Sequence, residues 1–159
     1  MALPTGTEIA AAACPEDLQA ARALFEEYWK SFGFCPCFQD FAAELAALPG
    51  KYAPPAGRLA VARSGGELAG CVAFRALDAT RCEAKRLYVR PAFRGRGVGK
   101  ALLEWVIGEA RSAGYAEMVG DTLPVMDRAM AMYERAGFER TGPYEETPTE
   151  GAIYIRLKL

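Results

Sequence analysis

The sequence predicts an α/β chain (an α+β mixed sheet) with helices on both faces, and three observations predict it. Two runs of strand-forming residues, 58–63 and 67–76, flank Ser64-Gly65-Gly66, the turn chemistry of a β-hairpin. Two stretches, 15–33 and 98–114, instead carry apolar residues at helical spacing. The remaining elements alternate in type, giving the order β-α-α-β-β-β-α-β-α-β-β, which suits one sheet covered on both sides. At 159 residues the chain predicts a single domain, 1–159, large enough to bury a substantial core.

Taken in order, residues 6–13 form a weakly signalled first strand, because alanine is a poor strand former. Pro15-Glu16-Asp17 opens a helix whose apolar face is Leu18, Ala21, Leu24 or Phe25, Tyr28 and Trp29, ending at Gly33. Residues 39–48 make a shorter helix stopped by Pro49-Gly50. The hairpin follows, then a strand from about Arg81 to Val89 that Pro91 stops, lacking an N–H to donate. The long helix places residues 98, 101, 102, 105, 106 and 110 on its apolar face, and Gly114 caps it. Residues 116–120 read as a buried strand, and Asp121-Thr122 with Pro124 as the start of another helix, which Gly137 ends. Phe138–Pro143 and Ile153–Leu159 make the last two strands around an acidic loop. No repeat or low-complexity tract interrupts this order.

Composition excludes several function classes. Hydrophobic residues make up 52% and charged residues 25%, and the net charge is −1, so there is no general attraction to nucleic acid or to an anionic membrane. No apolar run approaches the roughly 18–20 residues that span a bilayer, and the N-terminus lacks the basic region of a signal peptide. Five cysteines, mostly in apolar segments, fit free thiols in a reducing cytoplasm. Cys35-Pro36-Cys37 lacks the spacing of a redox pair, and as a metal site it would need further ligands, so no metal is expected; the absence of histidine removes every Ser-His or Cys-His scheme. Assembly as a homodimer stays open.

The local exception to this neutrality is Arg94-Gly95-Arg96-Gly97-Val98-Gly99-Lys100, between a strand and a helix, with Lys85, Arg86 and Arg90 just before it. A helix start leaves N–H groups unpaired, its dipole and the cations add positive potential, and glycines admit a ligand close to the backbone. The segment therefore reads as a phosphate cradle. It fails the dinucleotide pattern G-x-G-x-x-G at Lys100, and the Walker pattern at both Arg94 and Ala101. It fits R-x-x-G-x-G at Arg94, Gly97 and Gly99 without a gap. In this it resembles the acetyl-CoA-binding motif of the GNAT superfamily of N-acetyltransferases. KRLYV before the cradle, Asp121-Thr122 with Pro124, and Tyr133-Glu134 with Gly137-Phe138 extend the likeness to a set of small bacterial-type members whose acceptor is generally undefined.

The resemblance implies the GNAT acyl-CoA N-acyltransferase fold, acetyl-CoA as co-substrate, and transfer of its acetyl group to a primary amine of a small molecule or peptide. The cofactor-binding residues it implies are Leu87, Tyr88, Val89, Arg94, Gly95, Arg96, Gly97, Val98, Gly99, Lys100, Thr122 and Ala129. It further implies that the strand ending at Val89 splays from its neighbour, turning the Val89 N–H to the thioester oxygen. Tyr133 matches the tyrosine that protonates the CoA sulfur, although a packed aromatic would occupy that helix position equally well. Glu83 matches a glutamate that acts as general base through water, its pKa expected to be raised inside the cleft. The competing reading is a surface glutamate paired to Lys85 or Arg86, with Glu145 and Glu146 as alternative bases. Where many relatives carry asparagine, three residues before Ala129, this chain has Met126, which mildly favours a non-catalytic acyl-CoA-binding module. Tyr28, Phe32, Phe34 and Tyr144, with Trp29 and Phe38 nearby, are the candidate walls of the acceptor pocket.

Overall fold

A computed structural model describes residues 5–31, 41–123, 127–145 and 151–159. Seven strands form one sheet: β1 (Thr7–Ala11), β2 (Arg58–Ser64), β3 (Glu67–Ala76), β4 (Arg81–Val89), β5 (Glu117–Thr122), β6 (Glu139–Thr141) and β7 (Ile153–Lys158). Their spatial order is β1-β2-β3-β4-β5-β7-β6. Four helices accompany them: α1 (Pro15–Ser31), α2 (Phe41–Ala47), α3 (Val98–Ser112) and α4 (Asp127–Arg135). The expected element order holds throughout.

Two cores lie on opposite faces of the sheet. On one, α1 buries Ala20, Ala21, Leu24, Phe25 and Trp29 against Val61, Cys71, Ala73 and Tyr88. On the other, α3 buries Leu102, Leu103, Val106, Ile107 and Ala110 against Val72, Phe74, Cys82 and Met118. The buried stripe of α3 is rotated from the expected one: Ala101 and Trp105 lie at its margin, and Leu103 and Ile107 take their places. A run apolar on nearly all sides fixes the helix from sequence but not its rotation, which packing decides.

One boundary differs with consequence. Asp121 and Thr122 do not start a helix; they extend β5, opposite Tyr154 and Ile153 of β7. A long ladder already running between β5 and β7 outweighs the capping chemistry of the two side chains. Their place beside the cleft follows from this. The helix stop at Gly33, the Cys35-Cys37 pair, Pro124 and Met126 lie outside the described residues.

Strands β4 and β5 are parallel neighbours only from Arg81↔Glu117 to Glu83↔Val119. Beyond that β4 continues with β3 and β5 with β7, so the two strands part in the middle of the sheet. Gly70 of β3, opposite Val89, holds the β4 side of this opening close, because a Cβ there would collide with the Tyr88 carbonyl oxygen. Among the described residues no helix is long and apolar enough to cross a membrane.

Candidate active site

The opening between β4 and β5 leads to a cleft. Leu87 and Ala84 of β4, Leu103 of α3 and Thr122 of β5 line it, with Ala129 and Tyr133 of α4. Tyr28 of α1 and the polar groups Lys85, Arg86 and Asp121 complete the wall. Sequence reasoning had placed Leu87, Thr122, Ala129, Tyr133 and Tyr28 in the site, and the fold brings all five together. It had missed Lys85, Arg86 and Asp121 as cleft residues. The signal for the first two was the basic run before the cradle; Asp121 was masked by its reading as a helix start.

Backbone direction along β4 follows from its ladder. The Arg90 N–H donates to the Ala69 carbonyl of β3 at 2.8 Å, so the two-residue alternation turns the Val89 N–H the other way, toward the opening. Tyr88 therefore faces β3 by its backbone, and its ring sits in the α1 core, 6.0 Å from the Tyr28 ring. Of the three residues Leu87, Tyr88 and Val89, Leu87 lines the cleft and Val89 turns its N–H toward the opening.

The cradle stands at the mouth of the same opening. Gly95 (φ +76°) and Gly97 (φ +86°) adopt left-handed backbone that a side chain strains, and Gly97 is the N-cap of α3. The first intrahelical bond runs from the Ala101 N–H to the Gly97 carbonyl at 3.1 Å, leaving the N–H groups of Val98, Gly99 and Lys100 ahead of it. A Cβ at Gly99 would lie 3.5 Å from both Val89 Cγ2 and Met132 Sδ, so the helix start, the end of β4 and α4 converge there. N–H groups left unpaired at a helix start suit an anion such as a phosphate.

The basic run is less available than its sequence suggests. Arg86 makes a two-pronged pair with Glu44 at 2.9 and 3.0 Å, Arg90 another with Glu27 at 3.0 and 2.7 Å, and Lys85 lies 3.7 Å from Glu83. Lys100 reaches Glu104 at 3.6 Å, with both side chains largely exposed. Arg94 and Arg96 have no carboxylate partner among the described residues. Arg94 donates to the Val89 carbonyl at 2.9 Å and lies over the Tyr88 ring, and Arg96 lies over Phe93. Of six cations in this run, these two are the exposed ones free to meet a polyanion.

Glu83 corrects both expectations held for it. It is fully buried rather than a surface residue, and its partners are Arg75 Nε at 2.7 Å, the Tyr144 hydroxyl at 2.6 Å and Lys85, not Arg86. Burial pushes its pKa up, but Lys85, the Tyr144 hydrogen bond and Arg75 together outweigh burial, so the carboxyl is held below its ordinary value rather than raised. Glu145 behaves in the opposite way. Burial first, then Asp121 and Glu83, push its pKa up, and Lys85 and Arg75 only partly offset them. Tyr144, whose ring stands edge-on 5.3 Å from Tyr154, thus links the loop carrying Glu145 to β4. Glu146, Phe32, Phe34 and Phe38 lie outside the described residues.

Tyr133 lines the cleft with its ring edge-on to Phe138 at 5.5 Å. Burial pushes its hydroxyl far above the ordinary range, so it stays a proton donor at any physiological pH. The thiols of Cys71 and Cys82 are buried in the sheet, and burial pushes the Cys82 pKa up to about 12 and that of Cys71 higher still. Among the described residues no group of three His, Cys, Asp or Glu could hold a metal ion.

Comparison with known proteins converges on the same chemistry. Residues 18–138 match the Acetyltransferase (GNAT) family. An uncharacterised N-acetyltransferase of Schizosaccharomyces pombe is 38% identical over the whole of this chain and 99% of its own length. One from Dictyostelium discoideum is 28% identical over 91% of this chain and 95% of its own. These two relatives are eukaryotic, so the bacterial type suggested by the motifs is not a confirmed origin. Among solved structures, an acetyltransferase of Streptococcus agalactiae superposes with a TM-score of 0.81 at 20% identity, covering 98% of this chain and 99% of that one. A Salmonella typhimurium protein solved with its cofactor acetyl-CoA superposes with a TM-score of 0.73 at 21% identity, covering 97% and 94%. A seven-stranded sheet opened between β4 and β5, a glycine-rich helix start at the mouth, and a family match across most of the chain have one meaning: this is a GNAT-family N-acetyltransferase that uses acetyl-CoA.

Proposed function

We propose that the protein moves the acetyl group of acetyl-CoA directly onto a primary amine of a small-molecule or peptide acceptor. The observation that carries this reading is the parting of β4 from β5, with Tyr133 at the gap and the bare N-terminus of α3 at its mouth. The N–H groups of residues 98–100, with Arg94 and Arg96, hold the pyrophosphate, β4 binds along the pantetheine at Leu87 and Val89, and the Val89 N–H polarises the thioester oxygen. Bound acetyl-CoA supplies an acyl donor whose sulfur leaves as a thiolate. The Tyr133 hydroxyl gives that sulfur its proton, and burial keeps the hydroxyl protonated until then.

The base is better assigned to Glu145 than to Glu83. Glu83 is held by three partners and its pKa is depressed, which leaves it a weak proton acceptor. Glu145 has a raised pKa, closer to the operating range of a base near neutrality. Glu83 then positions Tyr144 and the loop bearing Glu145. Among the described residues the buried thiols of Cys71 and Cys82 are not thiolates, which speaks against an acyl-enzyme at either of them.

Mass-spectrometric detection of acetylated product and released CoA, across a panel of amino acids, polyamines, arylamines and peptides, tests the reading. An acceptor-dependent product is expected. CoA binding without turnover on any amine would instead support the acyl-CoA-binding module.

A further inference from the structure

Arg86 combines three features that no other described residue shares. It has a left-handed backbone (φ +61°) without being glycine, its side chain is buried, and it borders the cleft. Ladder register explains the backbone. Cys71 pairs with Tyr88 and Ala73 with Lys85, so Arg86 and Leu87 together face Val72 alone, which makes a β-bulge. The extra residue reverses the side-chain alternation: Ala84 and Leu87 both pack on the α3 face, while Arg86 and Tyr88 face α1 and α2. The Val89 N–H reaches the opening in the register set by this one residue.

Several contacts hold Arg86 in that conformation. Its guanidinium grips Glu44 of α2 with two bonds and lies 4.9 Å from the Trp29 ring centroid and 6.0 Å from that of Tyr28. Glu44 also accepts from the Tyr52 hydroxyl at 2.9 Å and pairs with Lys51 at 2.9 Å. The Arg86 carbonyl accepts from the Cys71 thiol at 3.3 Å. A buried ion pair roughly breaks even against apolar packing, and an arginine in left-handed backbone is strained, so net stability is a poor reason for either. Strained residues that their surroundings over-determine cluster at functional sites.

We infer that the Arg86–Glu44 pair is a positioning device for the donor half of the site: by tying α2 to the β4 bulge it keeps the Val89 N–H aimed into the opening. Arg86 is a positioning residue and touches no reacting atom. The inference rests on the proposed lie of acetyl-CoA along β4. It predicts that breaking the pair damages donor binding selectively, because the acceptor-side candidates keep supports of their own, Tyr28 edge-on to Trp29 and Tyr144 bonded to Glu83.

Two variants of the full chain test this. Glu44→Gln removes the charge but keeps the shape; Arg86→Lys keeps the charge but loses the planar two-pronged grip. Each is checked for folding by thermal unfolding, then titrated with CoA by calorimetry, and KM is measured for acetyl-CoA and for one acceptor amine. The expected result is a rise of about tenfold in the CoA dissociation constant and in KM for acetyl-CoA, with the acceptor KM within about twofold of the parent. If Glu44→Gln does not fold, Arg86→Lys alone decides. CoA affinity within twofold of the parent in a folded variant overturns the inference and leaves the pair as packing. Equal rises in both KM values overturn it too, since a general loosening would do that. A parent protein that binds no CoA overturns the donor placement itself, and this inference with it.

Discussion

In the proposed reading Tyr133 and the two carboxylates Glu83 and Glu145 divide the proton chemistry between them, and single atoms test the division. Tyr133→Phe removes one hydroxyl from a ring still packed on Phe138, so folding and CoA affinity should hold while turnover falls about 10²-fold. Unchanged turnover would leave Tyr133 as packing. For the base, the sign follows from direction of shift. A carboxylate with a raised pKa accepts a proton only once pH has passed that raised value, so turnover should climb through a Glu145 ionisation. Glu145→Gln should lower turnover near neutrality and recover partly at high pH, where free amine is abundant. Glu83 has a depressed pKa and is already ionised across that range, so Glu83→Gln should keep the limb but move it to lower pH, because it removes a negative charge that raises the Glu145 pKa. Profiles from pH 6 to 10 with one acceptor decide it: a limb that survives in Glu145→Gln and vanishes in Glu83→Gln would return the base to Glu83.

At the scale of elements, the proposed donor site lies between β4 and α3, and each depends on a glycine for a different reason. Gly97 supplies left-handed backbone at the N-cap of α3, beside N–H groups with no intrahelical acceptor. Gly97→Asp sets a carboxylate at the proposed pyrophosphate site, and calorimetry should find CoA binding abolished in a folded protein. Gly70 is needed for space, since its missing Cβ lets the Tyr88 carbonyl approach. Gly70→Ala should cost about 1–3 kcal/mol, as overpacking does, and should weaken CoA binding because β4 is displaced at Val89. Denaturant unfolding and CoA titration of the same variant check both halves of this expectation.

For the whole molecule, buried carboxylates on the α2 face link stability to pH. Burial pushes the Glu44 pKa up, but Arg86 and Lys51 outweigh it and bring the carboxyl down to about 2. Glu83 is depressed in the same direction. A group whose folded-state pKa is lowered stabilises the fold above its unfolded value, near 4.3, and loses that contribution as pH falls through the folded value. Stability should therefore decline from about pH 5 to pH 2, with Glu44 contributing on the order of 2 kcal/mol of the loss. Urea midpoints measured across that range should fall steadily in the parent and less steeply in Glu44→Gln.

The division between sequence and tertiary structure runs along the same scales. Element types and order were legible because periodicity, turn residues and glycine stops are local properties: Glu67–Ala76 and the start of α3 at Val98 stand where the residues place them. The cradle was legible for the same reason, its ligand-binding groups being backbone N–H groups of consecutive residues. Arg86, Lys85 and Asp121 were not legible as cleft residues. Whether a cation meets a ligand or a carboxylate depends on what α2 brings to it from 42 positions away in the chain, as the Arg86–Glu44 bond does. The sign of the Glu83 shift turned first on nearby Lys85, and then on Tyr144, 61 residues distant, and on Arg75 across the hairpin. By itself the sequence determined the fold and the glycine-rich start of α3. Only the tertiary structure decided which charges remain free, because ion pairing and desolvation depend on distances that no local pattern encodes.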